Sequence, residues 1–227
     1  MVLTIEKVLT ADELSQVRAL IATATWEAGR EAAGAQAAAL KCNEQLSHES
    51  DAMRRIRQIV LPALDRHSTF FTATLPKRLF PPRVNRYQGD SNYFGAHVDN
   101  AIRFAPHTGL KVRTDISCTL FLSDPASYDG GELLIHDPQG ARPIKLTAGD
   151  AIIYPGTTVH EVTPVTRGTR LACFFWIESV MRDPQQRQLL FQFDQTIIGL
   201  RNAHSDNPHR VARTGTHHNL QRMWADA

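Results

Sequence analysis

The stretch HEVTPVTRGTRLACFFWIES, residues 160–179, decides how this chain folds. Its second half, Thr169–Ser179, is a dense run of aromatic and aliphatic residues entered through an Arg167-Gly168 turn, the pattern of a buried strand. Its first half, His160–Pro164, reads as a shorter strand. If the two form a hairpin centred near Thr166, Arg170 falls opposite Val162 and so on the face that carries His160. Alternation then puts Ala172, Phe174 and Trp176 on that face as well, with Trp176 placed to wall a pocket.

Outward from this stretch, the texture after Pro76 is one of short β-branched and aromatic segments broken by Gly, Pro, Asp and Asn. Strands are expected at Pro82–Gln88, Asp115–Ser123, Gly131–His136, Arg142–Leu146 and Asp150–Tyr154, besides the two already named. That number of short strands points to a mainly β protein whose core, residues 76–180, is a double-stranded β-helix, or jelly roll. Gly130, Gly131 and Gly149 read as turn residues.

Helices flank the core. Residues 1–75 form an N-terminal helical region: Thr10 with Glu13 makes a capping box for a helix running to about Gly29, with Leu14, Val17 and Ile21 on its apolar face. A second helix is expected over His48–Arg66, where Met53, Ile56, Val60 and Leu64 share a face and Pro62 introduces a kink or an early end. Residues 181–227 form a helical C-terminal addition with the stripe Leu190, Phe193, Ile197 and Leu200. A last helix near Asn219–Asp226 carries Leu220, Met223 and Trp224. The stripe must dock on its own chain or on another copy, as a homo-oligomer.

Composition excludes several classes. With 25 Lys plus Arg against 23 Asp plus Glu, the net charge is +2, and no basic block points to nucleic acid or to a membrane surface. No apolar run reaches membrane-spanning length and no signal peptide opens the chain, so a cytoplasmic protein is expected. Cys42, Cys118 and Cys173 lack disulfide or zinc-site spacing and read as buried free thiols.

His97-Val98-Asp99 is an HxD pair on a strand-like stretch, and such i, i+2 side chains point to one side. Chance alone yields roughly 0.6 such pairs at this composition. His204-Ser205-Asp206, in a polar turn-prone segment, is read as a decoy. The first pair gains weight from its downstream company: a strand at Asp150–Tyr154, a Pro155-Gly156 turn, His160, and Arg170 ten residues later. Two imidazoles and one carboxylate on a barrel face leave adjacent positions open, which suits non-haem Fe(II) better than tetrahedral zinc. A guanidinium nearby can grip one end of a small diacid while its other end chelates the metal, and 2-oxoglutarate has that shape.

These residues carry a resemblance. Arg86-Tyr87-Gln88-Gly89, Tyr93, His97-Val98-Asp99-Asn100, Gly130-Gly131-Glu132-Leu133, Ala148-Gly149-Asp150, Tyr154-Pro155, His160 and Arg170 resemble the prolyl-hydroxylase-type Fe(II)/2-oxoglutarate dioxygenases. More narrowly the chain is similar to the bacterial PKHD-type hydroxylases, some linked to iron uptake, and the likeness extends over Arg182–Ala227. It implies iron ligands at His97, Asp99 and His160, a 2-oxoglutarate clamp at Arg170, a jelly roll, and ascorbate as the reductant that rescues oxidised iron. It further implies O₂ consumption and an unidentified small-molecule or peptidyl substrate. Where many relatives place a tyrosine to share the distal carboxylate, this chain has Phe121, so Thr119 or Tyr87 must supply that hydrogen bond.

Blander readings compete at each position. His97 and Asp99 could be a loop-capping pair, His160 a core histidine, and Arg170 a surface ion-pair partner of Glu161 or Glu178. Tyr87, Tyr93 and Trp176 could be packing aromatics, and His204, His209, His217 and His218 solvated tail residues or a second metal site. A non-catalytic iron or oxygen sensor would need no diacid clamp. A zinc hydrolase would need a carboxylate base, and Glu161 faces away from His160.

Overall fold

Alternation along the Arg170–Ser179 strand builds the core on one side and the site on the other. Cys173, Phe175 and Ile177 join the helix residues Val17, Ile21, Met53, Ile56, Val60 and Leu64 in one buried cluster. Arg170, Phe174 and Trp176 turn the opposite way and line a pocket. The helix Asp51–Asp65 is held to the sheet by Met53, Ile56, Val60 and Leu64, all fully buried, each worth about 1.5–3 kcal/mol of transfer free energy. The computed structural model describes residues 1–32, 35–105, 109–203 and 209–226.

Two antiparallel sheets form the jelly roll. The larger runs in the order Leu3–Ile5, Ala151–Pro155, Ile116–Phe121, Arg170–Ser179, Arg83–Tyr87, Glu44–Leu46, Trp26–Ala28, with Pro76–Leu79 also paired to Arg170–Ser179. The smaller runs Gly140–Ile144, Leu133–Asp137, His160–Val162, Tyr93–His97, Lys41–Cys42. Two-stranded ribbons pair Tyr128–Gly130 with Val165–Gly168 and Ile102–Phe104 with Lys111–Arg113. All seven expected core strands form, within a few residues of their expected ends.

The hairpin does not form. His160–Val162 pairs with Leu133–Asp137 and Tyr93–His97 in the smaller sheet, while Arg170–Ser179 lies in the larger one. Arg170 stands opposite Tyr87, not Val162. The chain leaves the smaller sheet at Pro164, which has no N–H to donate to a ladder and whose carbonyl accepts from Gly131 N at 3.3 Å. Gly130 and Gly131 make that crossing possible. Both have positive φ, and a Cβ on Gly130 would lie 2.1 Å from the Pro164 carbonyl oxygen.

At the N-terminus the capping box of Thr10 and Glu13 is present, but the helix is Ala11–Ala22 and stops short of Gly29. The chain turns there to give the strand Trp26–Ala28, because β-branched and aromatic residues at 23–26 pair better on the sheet edge than they extend a helix. The second helix continues past Pro62 to Asp65 and is followed by another, Ser68–Thr74. The first 75 residues thus supply strands to both sheets as well as helices.

The C-terminal helices are Pro184–Ala203 and Arg210–Trp224, the last beginning nine residues before Asn219. Leu190 and Ile197 are buried, and Leu190 packs with Leu75, Met181, Leu220 and Trp224 of the same chain. Met223 points outward at 75% exposure, because Leu220 and Trp224, four apart, define the contact stripe. His217 is buried with Nε2 at 3.3 Å from the Leu190 carbonyl, a packing residue between the two helices. His204-Ser205-Asp206 lies outside the described residues. Cys118 and Cys173 are buried, whereas Cys42 is half-buried. No described helix is long and apolar enough to cross a membrane.

Candidate metal and co-substrate site

His97 ends one strand of the smaller sheet and His160 opens the next, and the two are register partners. Their ring centroids are 4.3 Å apart. Asp99 lies just past the strand end, its Oδ2 at 3.7 Å from His160 Nε2. One ligand atom from each of the three residues lies within 4.8 Å of the others, the single such cluster among the described residues.

The imidazoles are aimed by backbone carbonyls. His97 Nδ1 is 2.8 Å from the Gly95 oxygen and His160 Nδ1 is 3.0 Å from the Thr158 oxygen. A carbonyl only accepts, so each Nδ1 carries the proton and each Nε2 presents its lone pair, the tautomer a metal needs. Ser117 Oγ donates to Asp99 Oδ2 at 2.5 Å and fixes the carboxylate. Phe94 stacks on His97 at 3.6 Å, and Tyr154 meets His160 edge-on at 4.9 Å. Burial first, and then the neighbouring His160, hold the His97 ring down to about 4, so it is neutral and able to ligate at neutral pH. Burial, with Asp99 adding to it, pushes the Tyr154 phenol well above its usual range, which keeps it protonated.

Arg170 lies in the same pocket, which holds about 710 Å³ including its open mouth. It is 1% exposed, with its guanidinium carbon 5.2 Å from the Tyr87 ring and 5.3 Å from the Phe121 ring. Its Nε has no hydrogen-bond partner, and no carboxylate among the described residues pairs with it. The surface ion-pair alternatives are excluded: Glu161 accepts from His136, and Glu178 pairs with Arg78 and Arg113. The field of Glu132 reaches the guanidinium without an ion pair forming, and a carboxylate arriving from solvent would supply the close partner that the buried cation lacks. Tyr87 is fully buried, its hydroxyl accepting from Asn85 Nδ2 at 3.2 Å. Burial raises its phenol, opposed by Arg170. Thr119 and Trp176 also line the pocket, and Tyr93 is 38% exposed outside it.

This donor set fits iron. Two neutral imidazoles and one carboxylate are held on one wall, no fourth protein ligand joins them among the described residues, and a guanidinium without a carboxylate partner stands in the same cavity. Known proteins point the same way. Residues 82–178 match the 2OG-Fe(II) oxygenase superfamily, and residues 184–226 match the PKHD-type hydroxylase C-terminal domain. A PKHD-type hydroxylase of Verminephrobacter eiseniae is 53% identical over 226 residues, covering 100% of both chains. The chain belongs to the PKHD-type hydroxylases. Members of this family are Fe(II)- and 2-oxoglutarate-dependent dioxygenases. Solved structures share the fold at low identity. A Pseudomonas putida prolyl-4-hydroxylase is 18% identical with TM-score 0.50, covering 78% of this chain and 92% of its own. The 2-oxoglutarate-dependent epimerase SnoN from nogalamycin biosynthesis is 18% identical with TM-score 0.55, covering 79% of each.

Sequence reading misses Ser117, Phe94, Tyr154 and Lys41. Ser117 is two residues before Thr119 on the same strand face, so alternation could have found it. Tyr154 stands within a recognised motif, but a strand assignment alone does not place it against His160. Lys41 has no signal: it closes an alanine-rich run and enters the pocket only because Lys41–Cys42 pairs with Tyr93–His97. Burial first, then Arg103 and Arg83, bring its ammonium down to about 7, with Asp99 opposing.

Proposed function

We propose that His97, Asp99 and His160 hold Fe(II), that Arg170 grips the distal carboxylate of 2-oxoglutarate, and that the enzyme hydroxylates a C–H bond of a small-molecule or peptidyl substrate. The overall change is R–H plus O₂ plus 2-oxoglutarate to R–OH plus succinate plus CO₂. The bound iron supplies the O₂ chemistry; the protein binds, orients and excludes water. The observation that carries this reading is the joint placement of three metal-competent donors and a buried Arg170 without a carboxylate partner in one cavity. Tyr87, facing Arg170 across the strand pair, or Thr119 on the neighbouring strand supplies the hydrogen bond that Phe121 cannot. Tyr154 and Ser117 act through His160 and Asp99, by packing and by hydrogen bonding.

Ascorbate serves as the reductant that returns oxidised iron to Fe(II), the protein works in the cytoplasm, and its reaction is linked to iron uptake. The family resemblance supports the first and the last, and the ordinary globular composition of the chain supports the second. The sensor alternative is disfavoured by Arg170, since a metal site used only for sensing has no need of a buried diacid clamp. The test is anaerobic addition of Fe(II) and 2-oxoglutarate, with a visible charge-transfer band expected when the keto acid chelates the metal, and then succinate on admitting O₂. Absence of the band with metal bound would refute the co-substrate assignment.

A further inference from the structure

Asn85 is a buried polar residue with no part in the metal triad or the Arg170 clamp. It stands opposite Ala172 on the strand pair that sets Tyr87 opposite Arg170. It is 7% exposed and lines the pocket together with Tyr87 and Arg170. Its Nδ2 donates to the Tyr87 hydroxyl at 3.2 Å, while its Oδ1 is buried without a partner. Two further amides lie close by. Gln45 is the register partner of Asn85 on the next strand, and Asn43 is two residues before it. Both are buried, and Gln45 Nε2 and both polar side-chain atoms of Asn43 also lack hydrogen-bond partners. Burying an amide costs free energy that an apolar side chain of similar size avoids, so amides gathered around Tyr87 point to a task beyond packing.

A phenol oxygen both accepts and donates, and its single proton serves one acceptor at a time. With Asn85 Nδ2 as donor, the Tyr87 oxygen is engaged as an acceptor and its proton is left to give. Asn43 bears on the same phenol as a further hydrogen-bonding group, lowering it against the burial that raises it. Among the described residues no acceptor takes the Tyr87 proton. A carboxylate gripped by Arg170 is the acceptor that fits, because Tyr87 faces Arg170 across the strand pair and its ring is 5.2 Å from the guanidinium carbon. Thr119 is placed less well. It stands opposite Phe174, four residues past Arg170, and its hydroxyl bears on the Tyr154 phenol.

We propose that Asn85 is a positioning residue: by donating to the Tyr87 oxygen it turns the phenol proton toward the distal carboxylate of 2-oxoglutarate, so that Tyr87, and not Thr119, shares that carboxylate with Arg170. The inference rests on the co-substrate reading above and deepens it at one hydrogen bond. Asn85 acts through Tyr87 and not by contact with the co-substrate, so the effects of the two residues do not add.

The test measures anaerobic binding to the full-length Fe(II) protein through the charge-transfer band, for 2-oxoglutarate and for 2-oxobutyrate, a keto acid that can chelate the metal in the same way but has no distal carboxylate. Tyr87→Phe should weaken 2-oxoglutarate by about ten-fold, the loss of one hydrogen bond to a charged group. Asn85→Leu should weaken it by about three-fold or more, and both variants should leave 2-oxobutyrate within about two-fold of the parent. The double variant should bind 2-oxoglutarate within about two-fold of Tyr87→Phe alone, since the amide has nothing to orient once the hydroxyl is gone. Asn85→Asp, whose carboxylate only accepts, should bind 2-oxoglutarate more weakly than Asn85→Leu, because it takes the phenol proton for itself. Asn85→Leu should melt no lower than the parent, and Asn85→Ala, which frees space instead of filling it, should show the same binding pattern; together they separate lost orientation from lost folding. Losses that multiply in the double variant, or that reach 2-oxobutyrate equally, overturn the proposal. So does Asn85→Asp binding as tightly as the parent, which would make the amide an acceptor, and so does a larger loss in Thr119→Val than in Tyr87→Phe. Arg170→Met should weaken 2-oxoglutarate far more than 2-oxobutyrate. If it does not, the co-substrate reading fails and takes this inference with it, whereas a normal Arg170→Met response with silent Asn85 and Tyr87 variants defeats this inference alone.

Discussion

Replacing Arg170 by Met should move stability and co-substrate binding in opposite directions. In the free protein the guanidinium is 1% exposed, flanked by Tyr87 and Phe121, and has no carboxylate partner among the described residues. Removing a buried charge that no ion pair compensates, with only the field of Glu132 reaching it, while keeping an apolar stem should stabilise the apoprotein by about 1–3 kcal/mol, a rise of a few degrees in Tm for a domain of this size. Bound 2-oxoglutarate loses two charge-assisted hydrogen bonds, at roughly 1.5–3 kcal/mol each. A net loss of about 3–4 kcal/mol corresponds to a Kd weaker by roughly 10²–10³. Thermal melts with and without 2-oxoglutarate, and anaerobic titration of the Fe(II) protein, measure both quantities on one sample. Arg170→Lys should recover only part of the affinity, because a point charge cannot make the bidentate contact. A Kd within three-fold of the parent, together with a lower apoprotein Tm, would make Arg170 a packing residue and refute the reasoning.

Single changes of His97, Asp99 or His160 to Ala should each abolish stoichiometric Fe(II) binding, read by metal analysis after gel filtration; retention in all three variants would move the metal elsewhere. Gly131→Ala should cost about 1–3 kcal/mol and weaken 2-oxoglutarate, since φ is +66° and the new Cβ would lie 2.7 Å from Val165 Cγ2 and 3.1 Å from Arg170 Cδ; an unchanged Tm and Kd would contradict it. For Lys41, burial and its cationic neighbours depress the folded pKa from 10.5 to about 7, so its contribution to stability is present above the unfolded value and lost as pH falls through about 7. The Tm advantage of Lys41→Met over the parent should therefore be largest below pH 7 and shrink toward pH 10; a gap independent of pH would contradict the depressed ammonium. Truncation after Val180 removes Met181, Leu190, Leu220 and Trp224 from the cluster around Leu75 and should give a lower-melting, aggregation-prone protein that still contains every proposed iron ligand. An equally soluble truncated chain with an unchanged Tm would show the tail to be dispensable.

Much of this protein is legible in its sequence because the informative signals are local. Alternation and turn residues locate the seven core strands, the capping box locates the first helix, and the HxD pair with a later histidine and arginine identifies the metal chemistry. Side-chain periodicity depends only on backbone geometry within a few residues, so it survives without knowledge of the fold. What tertiary structure alone decided is which strands meet. Arg170 shares a pocket with His160 because two sheets face each other, not because the two residues lie on one hairpin; Pro164 and the Gly130-Gly131 turn send the chain from one sheet to the other. The same is true of Lys41, brought into the pocket by its pairing with Phe94, far along the chain. Such pairings are chosen by burial summed over the whole core, a non-local quantity that no window of sequence contains.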